Sequence, residues 1–431
     1  IMCFIIQPFQ KTAAVPSDGL GLNAALQDPW MTLHPPLVFI SYSAMAILFS
    51  LSATVHKIHS PKKIALWLRI SWIFLGAGIL SGSIWAYRAL GWGGYWAWDP
   101  IENAALVPWL IMCVYMHNKK YDAYPVCIVP FPVACFGAFV ARSGVLENLS
   151  VHAYSDGNTI VSIILLCFII GAALYLVITK IRVRKSGKQT EGAFTSFTYI
   201  KKSVSCALFG YATLIFIGTV APVFLKTETP AVYFTVVSVI FVVAYNLLLL
   251  FNELDWLKKR GLYMAVISTA LVIAVMAVSR SDKFGWLMLL WSCLMPLSLW
   301  LASGFPNGWK YHLMHLGISL MIIGAVTSSA LCGEGYVIAP RDSGQVVISG
   351  TKITLTELLK TDVVIKTSPL NDIIIRRSQI TELAQDGYLI PYVTKPLIIL
   401  FWLGGAVTVA APVGFVLSEY FIKKKASGSA E

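Results

Sequence analysis

Leu33-His34-Pro35-Pro36-Leu37-Val38-Phe39-Ile40-Ser41-Tyr42-Ser43-Ala44-Met45-Ala46-Ile47-Leu48-Phe49-Ser50-Leu51-Ser52-Ala53-Thr54-Val55 contains no Asp, Glu, Lys or Arg. A helix that crosses the roughly 30 Å hydrocarbon core of a bilayer needs about 20 apolar residues, and this stretch supplies them. Ten further segments repeat the pattern, at residues 65–86, 104–116, 123–141, 159–181, 204–225, 231–251, 262–279, 284–302, 313–331 and 397–421. The segment at 104–116 is short and Pro108 interrupts it, so its outer end is expected to merge with the loop before it. Composition agrees: 57% of the 431 residues are hydrophobic and only 13% charged, with a mean hydropathy of +0.72. One soluble core cannot hide that much apolar surface. The expectation is an all-α polytopic membrane protein with about eleven transmembrane helices.

The net charge of +12 does not point to nucleic acid, because the basic residues sit in short runs between apolar segments. One set of loops and the C-terminal tail carry Lys57, Lys62, Lys63, Lys119, Lys120, the run from Lys180 to Lys202, Lys258, Lys259, Arg260, Lys310 and Lys423 to Lys425. The alternate loops carry only Lys11, Arg88, Arg142, Lys226, Arg280 and Lys283. Basic loops stay cytoplasmic, so the first full span starts outside and the C-terminus lies inside. The 8 cysteines form neither CxxC nor CxxCH, which excludes a paired-thiol zinc or redox motif and makes the chain no c-type cytochrome itself. Ile1 stands where a Met would open a chain, and residues 1–6 read as the tail of an apolar helix. The expectation is therefore a fragment, or one half of a split protein.

Residues 332–395 break the apolar rhythm. Val346-Val347-Ile348 and Lys352-Ile353-Thr354-Leu355-Thr356 have strand-like patterns, alternating in the second. The expected organisation is a transmembrane helical domain over 1–331, a small extracytoplasmic β-rich domain over 332–395, and a last transmembrane helix with a basic cytoplasmic tail over 396–431.

The segment richest in chemistry lies on the outer side, in a loop at about 87–103: Leu90-Gly91-Trp92-Gly93-Gly94-Tyr95-Trp96-Ala97-Trp98-Asp99-Pro100-Ile101-Glu102-Asn103. An interfacial belt accounts for scattered Trp and Tyr, but not for glycines interleaved with Trp92, Tyr95, Trp96 and Trp98. Glycines let backbone lie close to a flat ligand, and indoles offer stiff apolar faces with one donor each. That composition suits a platform for a large planar aromatic molecule. Asp99 and Glu102, three apart, suit a general acid/base pair or, more simply, the cap of the following helix.

The 7 histidines sort by depth. His56 and His59 lie in a basic cytoplasmic loop. His34 and His152 lie at the outer side, each an interfacial polar residue if taken alone; beside the platform, the two imidazoles suit the axial positions of a haem iron. His117 ends the third span, at a depth of about 20 Å from 1.5 Å per residue. His312 and His315 begin the tenth span from the cytoplasmic side, so His117 and one of them are expected to meet inside the bilayer, as a hydrogen-bonded pair or as the ligands of a b-type haem. Arg88 and Arg142, outside, suit haem propionates or are ordinary interfacial charges.

These residues resemble the cytochrome c assembly family, whose signature is the tryptophan-rich "WWD" segment, and within it the CcmF-type haem lyases. The match is carried by 33–42 with His34-Pro35-Pro36, by 91–109 and by 142–153 with His152; it extends through 309–328 and the last outer domain. Tyr95 stands where the family usually has Trp. The resemblance implies further N-terminal spans than this sequence carries, so a second polypeptide is expected to supply helices.

The resemblance implies that His34 and His152 ligate a haem held for transfer on a platform of Trp92, Gly93, Gly94, Tyr95, Trp96, Trp98, Asp99, Pro100 and Glu102. It implies a permanent buried haem b on His117 and His315, the latter preferred to His312 because Leu316-Gly317 follows. The implied activity is that of the haem lyase, or holocytochrome c synthase, component of a complex in the cytoplasmic (inner) membrane. The CxxCH thiols of apocytochrome c would be joined to haem as thioethers, with electrons drawn from quinol and with the haem chaperone CcmE and the apocytochrome-presenting CcmH as partners. The competing readings are a CcsA-type synthase, a CcmC-type haem handler, a haem transporter or exporter that attaches nothing, and a b-type quinol oxidoreductase.

Overall fold

The computed structural model describes residues 18–53 (save 20 and 23), 61–89, 94–117, 127–144, 159–185, 196–225, 227–246, 248, 309–383 and 387–428. The chain divides into two compact units, Ile1–Ser81 with Trp96–Ser238, and Gly82–Tyr95 with Val239–Glu431.

The first unit is helical. Its elements are α1 (Pro29–Ala53), α2 (Pro61–Ala89, whose last residues fall in the second unit), α3 (Pro100–His117), α4 (Pro130–Arg142), α5 (Thr159–Lys185) and α6 (Ser196–Leu225). They are followed by α7 (Ala231–Asn246), which begins in this unit. α3 packs on α4 and α6, and α4 packs on α1 and α5. The buried face is large and apolar, with Met45, Leu48, Leu68, Trp72, Leu75 and Met112 shut from solvent. Trp72 stacks on Trp109 at 4.9 Å and 20°, and its indole N–H donates to Cys113 Sγ at 3.0 Å. α5 instead exposes Ile160, Ile163, Ile170 and Leu174, an arrangement that water penalises and lipid accepts. Several serine hydroxyls in the spans donate to backbone, Ser41 to the Ser71 carbonyl at 2.7 Å and Ser50 to the Ala46 carbonyl at 2.9 Å, as an apolar solvent favours.

The second unit carries α8 (Trp309–Ala330), β1 (Gly333–Ala339), β2 (Gln345–Ile348), β3 (Thr351–Thr354), α9 (Leu355–Lys360), β4 (Val363–Lys366), β5 (Asn371–Arg376), β6 (Thr381–Leu383), β7 (Gly387–Pro396) and α10 (Ile398–Gly428). The main sheet is antiparallel in the order β1-β7-β5-β4, with β6 also paired to β7. β2 and β3 form a separate hairpin, whose two-residue turn has Ser349 at φ 47° and Gly350 at φ 81°, the left-handed geometry that matches strand twist. Val346, Ile348, Ile353, Leu355, Leu358, Ile373, Ile375 and Ile390 fill the core of this region. α8 and α10 pack with backbones in contact: a Cβ on Gly317 would lie 2.5 Å from Thr408 Oγ1, and one on Gly404 would meet the Gly317 carbonyl and Met321. Small residues at such crossings are how membrane helices gain van der Waals contact when lipid removes the hydrophobic incentive.

The chain is a multi-pass membrane protein. Five described helices are long and apolar enough to cross a bilayer, namely Pro29–Ser52, Lys62–Ala89, Lys202–Leu225, His312–Ala330 and Ile398–Val416, and Pro130–Arg142, Ser162–Tyr175 and Ala231–Asn246 are shorter apolar helices. The spans expected at 262–279 and 284–302 lie outside the described residues. α3 differs from its expected span: it begins at Pro100 and continues through Pro108. The alternating run at 352–356 also stops early, at Thr354, because Leu355 and Leu358 turn inward three residues apart on α9.

Candidate haem-handling site

The loop between α2 and α3 is shaped by Asp99-Pro100-Ile101-Glu102-Asn103. The Asp99 carboxylate accepts the Ile101 N–H at 2.8 Å, the Asp99 carbonyl accepts the Asn103 N–H at 2.9 Å, and Pro100 takes the first helical position, where its missing N–H costs nothing. Glu102 reaches back: Oε2 accepts the N–H of Ala97 at 3.0 Å and of Asp99 at 3.2 Å. This is a capping box with one bond more than usual. Asn103 Nδ2 donates to the Trp98 carbonyl at 3.0 Å. The two carboxylates thus serve as cap and loop brace, the simpler of the two roles open to them.

Those bonds hold Trp98 at φ 59°, a conformation bulky residues rarely adopt and surrounding structure must enforce. Its indole stacks on Phe234 of α7 at 5.2 Å and 8°, and Trp96 stands edge-on to it at 6.0 Å and 84°. Trp96 Nε1 is buried with no hydrogen-bond partner among the described residues, so one indole donor of the loop is left over for a ligand's acceptor. Tyr95 belongs to the second unit, where its ring lies 4.1 Å from Phe401. Trp92 and Gly93 lie outside the described residues; Gly94 precedes Tyr95 in the described part of the loop.

His34 sits in the second turn of α1. Its Nδ1 is 2.7 Å from the Gly78 carbonyl of α2. A carbonyl only accepts, so Nδ1 carries the proton, and the neutral ring then has its lone pair on Nε2, a nitrogen through which imidazole ligates metal. Gly78 makes this contact possible: a Cβ there would lie 2.7 Å from Val38 Cγ2. His117, the last residue of α3, has the same tautomer for the same reason, with Nδ1 2.8 Å from the Cys113 carbonyl. Carbonyl-bound Nδ1–H groups of this kind orient ligating histidines and raise their basicity.

His312 and His315 of α8 are both buried. The Tyr245 ring lies parallel to His315 at 6.3 Å, and its hydroxyl is 3.4 Å from both the His315 carbonyl and Ser319 Oγ. His117 belongs to the first unit, and His312 and His315 to the second. Arg88 is exposed near the end of α2, and Arg142 closes α4 half-buried. His152 lies outside the described residues. Sequence reading did not single out Phe234, Gly78 or Phe401; each reaches the site by a contact distant in sequence that no local pattern announces.

Residues 1–146 match the family model described as Cytochrome C assembly protein; that interval contains His34, the tryptophan-rich loop and His117. The chain is 30% identical over 407 residues to the cytochrome c-type biogenesis protein NrfE of Haemophilus influenzae, covering 79% of this chain and 59% of that protein. It is 28% identical over 370 residues to the cytochrome c-type biogenesis protein CcmF of Escherichia coli, covering 75% and 56%. The chain therefore spans little more than half the length of these relatives. A solved structure, "Cytochrome c Heme Lyase CcmF", superposes with a TM-score of 0.60 at 18% identity, over 90% of this chain and 72% of that one, a likeness that speaks for the fold. With the loop, the histidines and these relatives together, residues 1–146 match the cytochrome c assembly family, and the chain is similar over most of its length to CcmF-type cytochrome c biogenesis proteins.

Proposed function

We propose that this chain is a haem-binding membrane subunit of cytochrome c biogenesis that presents haem on the outer face of the cytoplasmic membrane for thioether attachment to apocytochrome c. In that reaction each thiol of CxxCH adds across a haem vinyl group: the S–H bond breaks, sulfur bonds to one vinyl carbon and hydrogen to the other, with no net oxidation. The subunit's contribution is position. A flat porphyrin held against Trp96 and Trp98, with its iron on His34 and His152 and its propionates on Arg88 and Arg142, would keep its vinyl groups in register with two incoming thiols, and such preorganisation is a large part of catalysis.

The observation that carries this reading is the shared tautomer of His34 and His117. Each ring gives its Nδ1–H to a backbone carbonyl, which puts the lone pair on Nε2, where iron ligation needs it. His117 and His315 are the residues that would hold a permanent haem b, which when bound supplies electrons to keep the iron of the transferred haem reduced, with quinol as their source. CcmE, as haem donor, and CcmH, as presenter of the apocytochrome, are the partners this reading requires.

The purified protein from haem-replete cells should show the absorption spectrum of a low-spin b-type haem. His117→Ala and His315→Ala should lose it, and His34→Ala should keep it. A colourless wild type sinks the buried site. Covalent product from added apocytochrome in a reconstituted assay separates attachment from simple haem export.

A further inference from the structure

Tyr87 lies in the last turn of α2, and its hydroxyl donates to Asp372 Oδ2 at 2.9 Å, across 285 residues of sequence. Both residues are only 3% exposed. Asp372 lies at the start of β5, whose register partner there is Lys395 of β7. β7 passes through Leu397, at φ 55°, straight into α10. Five residues into that helix, Trp402 meets the Tyr87 ring edge-on at 5.4 Å and 67°. Its neighbour Phe401 lies against Tyr95, and Trp402 also stands edge-on to Tyr95 at 6.3 Å. The junction of the β region with α10 therefore touches both ends of residues 87–95, the stretch that contains Trp92, Gly93 and Gly94.

Apolar packing alone would not call for a carboxylate here. Burial lifts the Asp372 carboxyl above its ordinary range, and the bonds from the Tyr87 hydroxyl and the Ser368 backbone bring it only part of the way back. A well-packed apolar pair in such a place is often as stable as a buried polar one. What the polar pair adds is direction: one hydroxyl, one oxygen, one register.

We infer that Tyr87 and Asp372 are positioning residues, through which the outer β region fixes the start of the tryptophan-rich segment. The inference deepens the haem-presentation reading and rests on it for its purpose, though the latch itself is a separate physical claim.

Hydrogen–deuterium exchange on the full-length protein over peptides covering 84–98 tests the latch. Tyr87→Phe and Asp372→Ala should each speed exchange there about tenfold, the equivalent of one hydrogen bond of about 1.4 kcal/mol. The double variant should exchange no faster than Asp372→Ala alone, whereas two independent structural effects would multiply. Asp372→Asn keeps an oxygen acceptor and should recover much of the protection. Binding of added hemin, followed by quenching of tryptophan fluorescence, should weaken severalfold in Tyr87→Phe and in Trp96→Ala. Unchanged exchange in Tyr87→Phe, or multiplied effects in the double variant, overturns the latch. Hemin affinity lost in Trp96→Ala but intact in Tyr87→Phe overturns its positioning role. Hemin affinity intact in both variants sinks the haem shelf instead, and the exchange data then decide the latch alone.

Discussion

At the scale of single residues, the site is governed by backbone hydrogen bonding. Glu102 satisfies two loop N–H groups with one oxygen, and this was legible in the sequence because the reach is local: an acid three residues after an Asp that precedes Pro is a capping pattern whatever surrounds it. The stacking of Trp98 on Phe234 and the bond from Tyr87 to Asp372 were not legible, since each joins positions more than a hundred residues apart. Glu102→Ala leaves the Ala97 and Asp99 N–H groups without that partner, and the loop end of α3 should lose about 1–2 kcal/mol. Glu102→Gln retains an acceptor oxygen without the charge and should lose about half as much. Thermal unfolding in detergent, read beside amide exchange at 96–103, checks both; equal behaviour of Ala and Gln variants would show that the carboxylate is not a brace.

At the scale of elements, the spans were legible because lipid imposes one crude demand, some 20 apolar residues with their backbone satisfied internally. The ends were not, because caps decide them: α3 starts four residues before its apolar run, where Asp99 supplies a cap, and α9 replaces the end of a strand because Leu355 and Leu358 are better buried on one helical face. The pairing of helices was also hidden, since glycines mark many kinds of site. Contact geometry tells them apart. A side chain at Gly404 would strike the Gly317 carbonyl and the Met321 backbone, whereas one at Gly171 on α5 meets nothing within 4 Å. Gly404→Val should therefore overpack the α8–α10 crossing and lose on the order of 1–3 kcal/mol. Gly171→Ala should be neutral or gain about 0.5–1 kcal/mol from helix propensity. Apparent melting temperatures of the two variants in one detergent test the contrast, and a tolerated Gly404→Val would mean that α8 and α10 are not held by backbone contact.

At the scale of the whole molecule, the physical problem is sidedness. Haem presentation to a secreted apocytochrome requires His34, the tryptophan-rich loop and the β region to share the outer side. The charge pattern is what argues for this arrangement, since the positive-inside rule predicts that the end carrying Lys423, Lys424 and Lys425 stays cytoplasmic. Cys332 is a partly exposed free thiol directly before β1, which makes it a native reporter for that side. Cys167 and Cys206 lie within helices α5 and α6, where lipid excludes water and keeps thiols unreactive. In spheroplasts, a membrane-impermeant maleimide should modify Cys332 and leave a cysteine introduced by Ser427→Cys untouched until the membrane is opened. The reverse pattern would turn the chain over, put the β region and the latch of Tyr87 with Asp372 in the cytoplasm, and remove haem presentation to an exported apocytochrome from consideration, while leaving every packing contact described above intact.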